Sequence, residues 1–301
     1  MGGVSVPFVW RRAWGACVAI LIAAASLCAS DPAFAAAQSR WFTTSDGVKL
    51  HYLEAGPTDA QTLVFVPGWT MPAWIWDRQI QAFSATRHVI AFDPRGQGES
   101  DAPALGYDAT RRGRDLGELI AHVDGKPVVI VAWSLGVLDT LAYVAESGDA
   151  KVSALVLIDN SVGEEPAPTV APAPARKKAV AQPSHDEAMR RFVSGLFATA
   201  QSPDYLNRLT EATLHTPESA AKALRAYSPP RTYWRDALYS TQKPVLYIVR
   251  PRWKAQADNV AAHRPGFETA VFEHAGHALF VDQPDRFDAL VADFLQRRVP
   301  Q

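Results

Sequence analysis

At 301 residues, 48% of them hydrophobic, the chain is long enough for one large domain or two small ones and can bury a sizeable core. Its 30 Lys and Arg nearly balance its 31 Asp and Glu, for a net charge of -1. No basic tract or aromatic-basic interleave is present, which speaks against a nucleic-acid partner. The N-terminus reads as a separate object. Arg11 and Arg12 precede the apolar run GACVAILIAAASLCAS, and DPAFAAAQS follows it. A charged start, a short apolar stretch and small residues around Ala33-Phe34-Ala35 predict a cleaved signal peptide over 1–35. A transmembrane anchor would need about twenty apolar residues. The protein is therefore expected to be exported, periplasmic or secreted, with no membrane span after cleavage. RRAW allows a twin-arginine route, and Leu27 before Cys28 argues against lipid attachment. Cys17 and Cys28 are the only cysteines, so the mature chain is expected to have no disulfide, thiolate nucleophile or cysteine metal site.

Beyond the leader, strand-like runs recur in chain order: VKLHYLEAG, TLVFVPG, HVIAFDPRG, PVVIVAWS, ALVLIDNS, PVLYIVR and ETAVFEHAG. Several are continuous Val/Ile/Leu runs, as in strands covered on both faces of a parallel sheet. RRGRDLGELIAHV and LGVLDTLAYVAES read as helices on either side of the fourth run. A last helix from Pro284 sets Phe287, Leu290, Val291, Phe294 and Leu295 on one face. This alternation predicts an α/β fold with a mostly parallel sheet. It breaks over 163–241. A Pro-rich piece, EEPAPTVAPAPARKKAVAQP, is followed by helical segments, predicting an insertion between core segments 36–162 and 242–301.

The residues that carry chemistry fall at strand ends. VAWSLGV approximates G-x-S-x-G, with Ala132 in place of the first glycine, at a strand-to-helix junction. There Ser134 is either a helix N-cap or an exposed nucleophile. In FVPGWTMPAWIW a Pro67-Gly68 turn precedes Trp69. Acyl transfer needs two N–H donors aimed at an oxyanion, and Leu135 and Trp69 would supply them; the alternative is a plain turn. Trp69, Met71, Trp74 and Trp76 crowd this loop and are expected to wall an apolar substrate pocket, with ordinary core packing as the alternative. Near the C-terminus, EHAGHALFVDQP offers His277 as a base. His274 competes, but the small neighbours Gly276 and Ala278 favour His277.

Together DGVKLHYLEAG, VPGW, FDPRGQGES, AWSLG and AGHALFVDQPDRF, in this order and spacing, resemble the α/β-hydrolase superfamily. The nearest group is the esterase, lipase and haloperoxidase-like one with a helical cap, and 163–241 sits where that cap usually sits. The resemblance implies an α/β-hydrolase fold, with Asp93, Arg95 and Ser100 bracing the loop beside the site. It implies a Ser134–His277 pair needing no metal or organic cofactor, and a small-molecule ester as the substrate. Two features depart from the family. The oxyanion loop usually begins His-Gly, and here is Pro67-Gly68. The acid usually follows the strand PVLYIV, but there the chain reads RPRWKAQAD and reaches no acid until Asp258. Asp159, ending the preceding strand, is the alternative and is preferred here. Ser at the elbow argues against dehalogenase or epoxide-hydrolase chemistry. The expectation is an exported serine hydrolase of carboxylic esters or lactones. A cofactor-free perhydrolase or haloperoxidase-like enzyme with the same triad is a second reading, and a binding protein on the same fold a third.

Overall fold

Eight strands form one sheet in the order β1-β2-β4-β3-β5-β6-β7-β8 of a computed structural model. It describes residues 1–5, 37–123, 125–167, 183–226 and 229–299. The strands are β1 (Gln38–Thr43), β2 (Lys49–Ala55), β3 (Thr62–Val66), β4 (His88–Asp93), β5 (Val128–Trp133), β6 (Val152–Ile158), β7 (Val245–Val249) and β8 (Glu268–Val271). The first two pairings, β1 with β2 and β2 with β4, are antiparallel; all the others are parallel. This is the α/β-hydrolase arrangement that the sequence predicts. The sequence did not signal β1: QSRWFT is polar and mostly exposed, and holds its place at the sheet edge by backbone pairing with β2.

Alternate side chains of β5 serve opposite faces of the sheet. Val128, Ile130 and Ala132 enter one apolar cluster, and Val129, Val131 and Trp133 enter the other. The first face is covered by Leu116 and Leu119 of α2 (Ala109–Val123), Leu141 of α3 (Leu135–Ser147), Leu238 of α7 (Arg231–Ser240) and Val260 of α8 (Lys254–His263). The second is covered by Ile80 of α1 (Asp77–Phe83) and by Phe287, Val291 and Phe294 of α10 (Pro284–Arg298). Burial of both faces explains why β3 to β7 read as unbroken apolar runs.

Among the described residues four helices lie between β6 and β7: α4 (His185–Ser194), α5 (Pro203–His215), α6 (Glu218–Leu224) and α7. Ser184 and Glu187 form a reciprocal capping box at the start of α4. Ser202 caps α5, whose first residue is Pro203. Trp234 and Leu238 of α7 are buried in the cluster that holds Leu141, so α7 belongs to the core. A short α9 (Leu279–Asp282) precedes α10. The chain divides into Met1–Ala33 and Phe34–Gln301, and every strand and helix named here belongs to the latter. The expected signal peptide, beyond residue 5, and most of the Pro-rich stretch lie outside the described residues. Among the described residues no helix is long and apolar enough to cross a membrane.

Candidate active site

Four adjacent parallel strands each deliver one polar side chain to the same edge. Ser134 follows β5, Asp159 follows β6, Arg250 follows β7, and His277 lies in the loop after β8. This is the carboxyl edge, where ligands of such sheets bind. Ser134 stands at the N-terminus of α3 but does not cap it, because its hydroxyl accepts no helix N–H. Its backbone is left-handed, with φ 55. Such a turn costs on the order of 1–3 kcal/mol in a non-glycine residue and persists only when its surroundings enforce it. Here the Ser134 N–H donates to the Ile158 carbonyl at 2.9 Å. Its carbonyl accepts from Asn160 Nδ2 at 2.8 Å. The residue two positions on must be small, since a Cβ on Gly136 would lie 2.6 Å from the Val66 carbonyl oxygen.

The side chains form a chain of hydrogen bonds. Ser134 Oγ lies 2.8 Å from His277 Nε2, and His277 Nδ1 lies 2.6 Å from Asp159 Oδ2. The histidine loop is fixed from three sides. Trp133 Nε1 donates to the His277 carbonyl at 2.8 Å, Gly276 N–H donates to Asp282 at 2.6 Å, and Ala278 N–H donates to the Leu196 carbonyl at 3.0 Å. Asp159 is buried and also accepts from the Arg250 backbone N–H at 3.0 Å and from Arg250 Nε at 2.6 Å. Burial alone would raise its carboxyl. The hydrogen bond from His277 and the charges of His277 and Arg250 outweigh burial and hold it below the ordinary carboxylate value. His274 and Asp258 are elsewhere. His274 is exposed, and Asp258 is an exposed residue of α8 paired with Lys254 at 2.7 Å.

The Pro67-Gly68 loop packs against the serine turn. A Cβ on Gly68 would lie 3.1 Å from the Ser134 Cβ. The backbone N–H groups of Trp69 and Leu135 meet no acceptor among the described residues, which leaves both available to a ligand. Thr70, also at positive φ, is held by its N–H donating to Gln97 Oε1. Asp93 accepts from Ala73 N–H and from Glu99 N–H, and pairs with His51 at 2.7 Å. Ser100 Oγ donates to the Asp93 carbonyl, and Arg95 is buried between Asp115 and Asp46. Of the three residues expected to brace the loop, Asp93 bonds it through Ala73 N–H, while Arg95 and Ser100 bond elsewhere; Gln97, which touches the loop directly, went unread in the sequence.

The expected pocket walls need correction. Trp76 is fully buried, stacked on Phe280 at 3.9 Å and against Phe65 at 5.1 Å; it is core. Met71 is equally buried. Trp74 lines a separate cavity of about 360 Å³ with His51 and Arg208, whose guanidinium lies 3.8 Å over its ring. The cavity that contains Ser134, Asp159 and His277 measures about 620 Å³, and its aromatic walls are Phe192 and Trp253. Among the described residues no group of three or more His, Cys, Asp or Glu is placed to hold a metal ion.

A parallel sheet that turns a positive-φ serine, a histidine and a carboxylate out at its carboxyl edge has the form of an α/β fold with a nucleophile elbow. The chain belongs to the alpha/beta hydrolase family, whose model matches residues 63–290. Over 117 residues, 38% of this chain and 42% of the relative, it is 37% identical to the non-heme chloroperoxidase of Streptomyces lividans. Over 119 residues, 39% of this chain and 43% of the relative, it is 32% identical to the bifunctional esterase/perhydrolase of Acinetobacter calcoaceticus. The chain thus spans less than half the length of these curated relatives. A solved esterase from Rhodococcus sp. ECU1013 shares the fold, with a TM-score of 0.70 at 22% identity over 86% of this chain and 99% of the other.

Proposed function

We propose that the protein is an exported serine hydrolase that cleaves carboxylic esters or lactones through an acyl-enzyme. The observation that carries this reading is the unbroken sequence Ser134 Oγ, His277, Asp159, at 2.8 Å and 2.6 Å, with the serine backbone at positive φ. His277 Nε2 takes the Ser134 proton as Oγ attacks the carbonyl carbon. The N–H groups of Trp69 and Leu135 hold the developing oxyanion. Asp159 fixes the histidine tautomer and stabilises the imidazolium. His277 then protonates the leaving alcohol, and water, activated by the same histidine, releases the acid. Helices α4 to α6 act as the cap over this cavity. A fluorophosphonate probe should label Ser134 in the folded protein, and Ser134→Ala should abolish p-nitrophenyl ester hydrolysis. An unlabelled folded protein would instead favour a ligand-binding role.

The esterase/perhydrolase relative supports a second reading on the same residues. Hydrogen peroxide in place of water at the acyl-enzyme gives a peracid and regenerates Ser134. Peracid formation from an ester and peroxide, measured beside hydrolysis, decides how the acyl group is partitioned. Export rests on the pattern of residues 1–35. N-terminal sequencing of the protein recovered outside the cytoplasm should show a start near residue 36.

A further inference from the structure

We propose that the substrate carries, besides its scissile ester, a negatively charged group, a carboxylate or phosphate, held by arginines at the mouth of the cavity. This deepens the serine-hydrolase reading and rests on it. Arg191, Arg225, Arg250 and Arg252 all line the cavity that contains Ser134, and its lining includes one acid, Asp159. Arg250 is committed to that acid at 2.6 Å. The other three meet no carboxylate among the described residues. Some surface arginines elsewhere find partners, as Arg78 does with Asp285 and Arg297 with Glu268 and Asp293; the cavity differs in bringing three without a carboxylate to one place.

The three come from separate elements: Arg191 from α4, Arg225 from the end of α6, and Arg252 from the turn after β7. Gathering like charges around one cavity is unfavourable unless a counter-charge enters it. Two are also held in place. The Arg225 guanidinium lies 5.1 Å over the Trp69 ring, and that of Arg252 lies 4.7 Å over the Trp253 ring. Stacking on an aromatic face leaves the in-plane N–H donors of a guanidinium free. Those donors match the paired oxygens of a carboxylate or phosphate. Trp69 is also the residue whose backbone N–H faces the oxyanion in the proposed mechanism. Its side chain is pinned by an Nε1 hydrogen bond to the Ala221 carbonyl at 2.8 Å. Arg225, from the end of α6, therefore packs over the loop that flanks the reacting carbonyl.

The test compares two esters of equal chain length, mono-p-nitrophenyl glutarate and neutral p-nitrophenyl pentanoate, on the full chain. We expect kcat/KM for the charged ester to exceed that of the neutral one by about 10- to 100-fold, the range of a charged hydrogen bond. The preference should shrink as salt is raised. In Arg225→Gln and Arg252→Gln the ratio of the two kcat/KM values should fall by about tenfold, chiefly through KM of the charged ester. Both side chains are exposed, so the variants should fold, which circular dichroism checks. Competition by free glutarate or by inorganic phosphate tells which anion is preferred. Equal or lower kcat/KM for the charged ester, or a ratio unmoved in both variants, overturns the proposal alone. If neither ester is turned over and fluorophosphonate leaves Ser134 unlabelled, the hydrolase reading has failed and the proposal falls with it.

Discussion

The carboxylate of Asp159 accepts from His277 Nδ1 and from Arg250 Nε, both at 2.6 Å, while itself buried. A carboxylate in this position sets the histidine tautomer, so Asp159→Asn should lower kcat by about 10⁴ in a protein that stays folded. Asp258→Asn should change kcat little, because Asp258 only pairs with Lys254 on the surface of α8. Stopped assays on both variants decide between the two acids. The same environment has a consequence for acid stability. The folded carboxyl is held below its ordinary value of 3.8, so its contribution is fully present above that value and is lost as pH falls through the lower folded value. Arg250 is one of the groups that lowers it. In Arg250→Gln the folded value should move back toward the ordinary one, so the loss should be smaller and should end at higher pH than in the wild type, as urea melts across pH 2 to 6 would record. A loss of the same size, ending at the same pH, would mean that Arg250 does not set the carboxyl.

Within single elements, neighbouring residues can serve opposite sides of the molecule. Ala73–Trp76 is one 3-10 turn, and its two tryptophans diverge: Trp76 enters the core under α10, and Trp74 lines the separate cavity beside Tyr205. Trp76→Ala should cost about 3–5 kcal/mol of stability, the usual range for emptying a large aromatic site. It should leave the ratio of kcat/KM between short and long esters unchanged, which calorimetry and an ester series would establish. This pair also shows what the sequence could and could not tell. The serine turn and the histidine loop were legible because each is carried by contiguous residues whose small neighbours, Gly136 and Gly276, are required by close backbone approach. The apolar runs of β3 to β7 were legible because both faces are buried. The pocket walls were not. The pair Arg191-Phe192, Arg225 and Trp253 are far apart in the chain and share no local pattern. An aromatic beside a motif carries no mark of which way it turns. β1 escaped notice because a polar edge strand has no apolar signature.

At the scale of the whole molecule, the sheet is assembled mostly from parallel neighbours, and each parallel connection needs a crossover that carries the chain back to the end of the sheet where the previous strand began. The hydrogen bond between Ser134 and His277 joins residues 143 apart, and that between Asp159 and His277 joins residues 118 apart. Closing such long loops is entropically slow, so pairings of this kind form after local helices and neighbouring strands. Delivering one polar group from each of four consecutive strands therefore has a temporal meaning. The site cannot exist until β8 has docked at the far end of the sheet and its loop has come back to β5. On dilution from urea, tryptophan fluorescence should recover first, since most of the core precedes β8, and fluorophosphonate labelling of Ser134 should follow with a measurable lag. A chain emerging from the ribosome N-terminus first would meet the same order, remaining chemically silent until β8 and the loop that follows it had arrived.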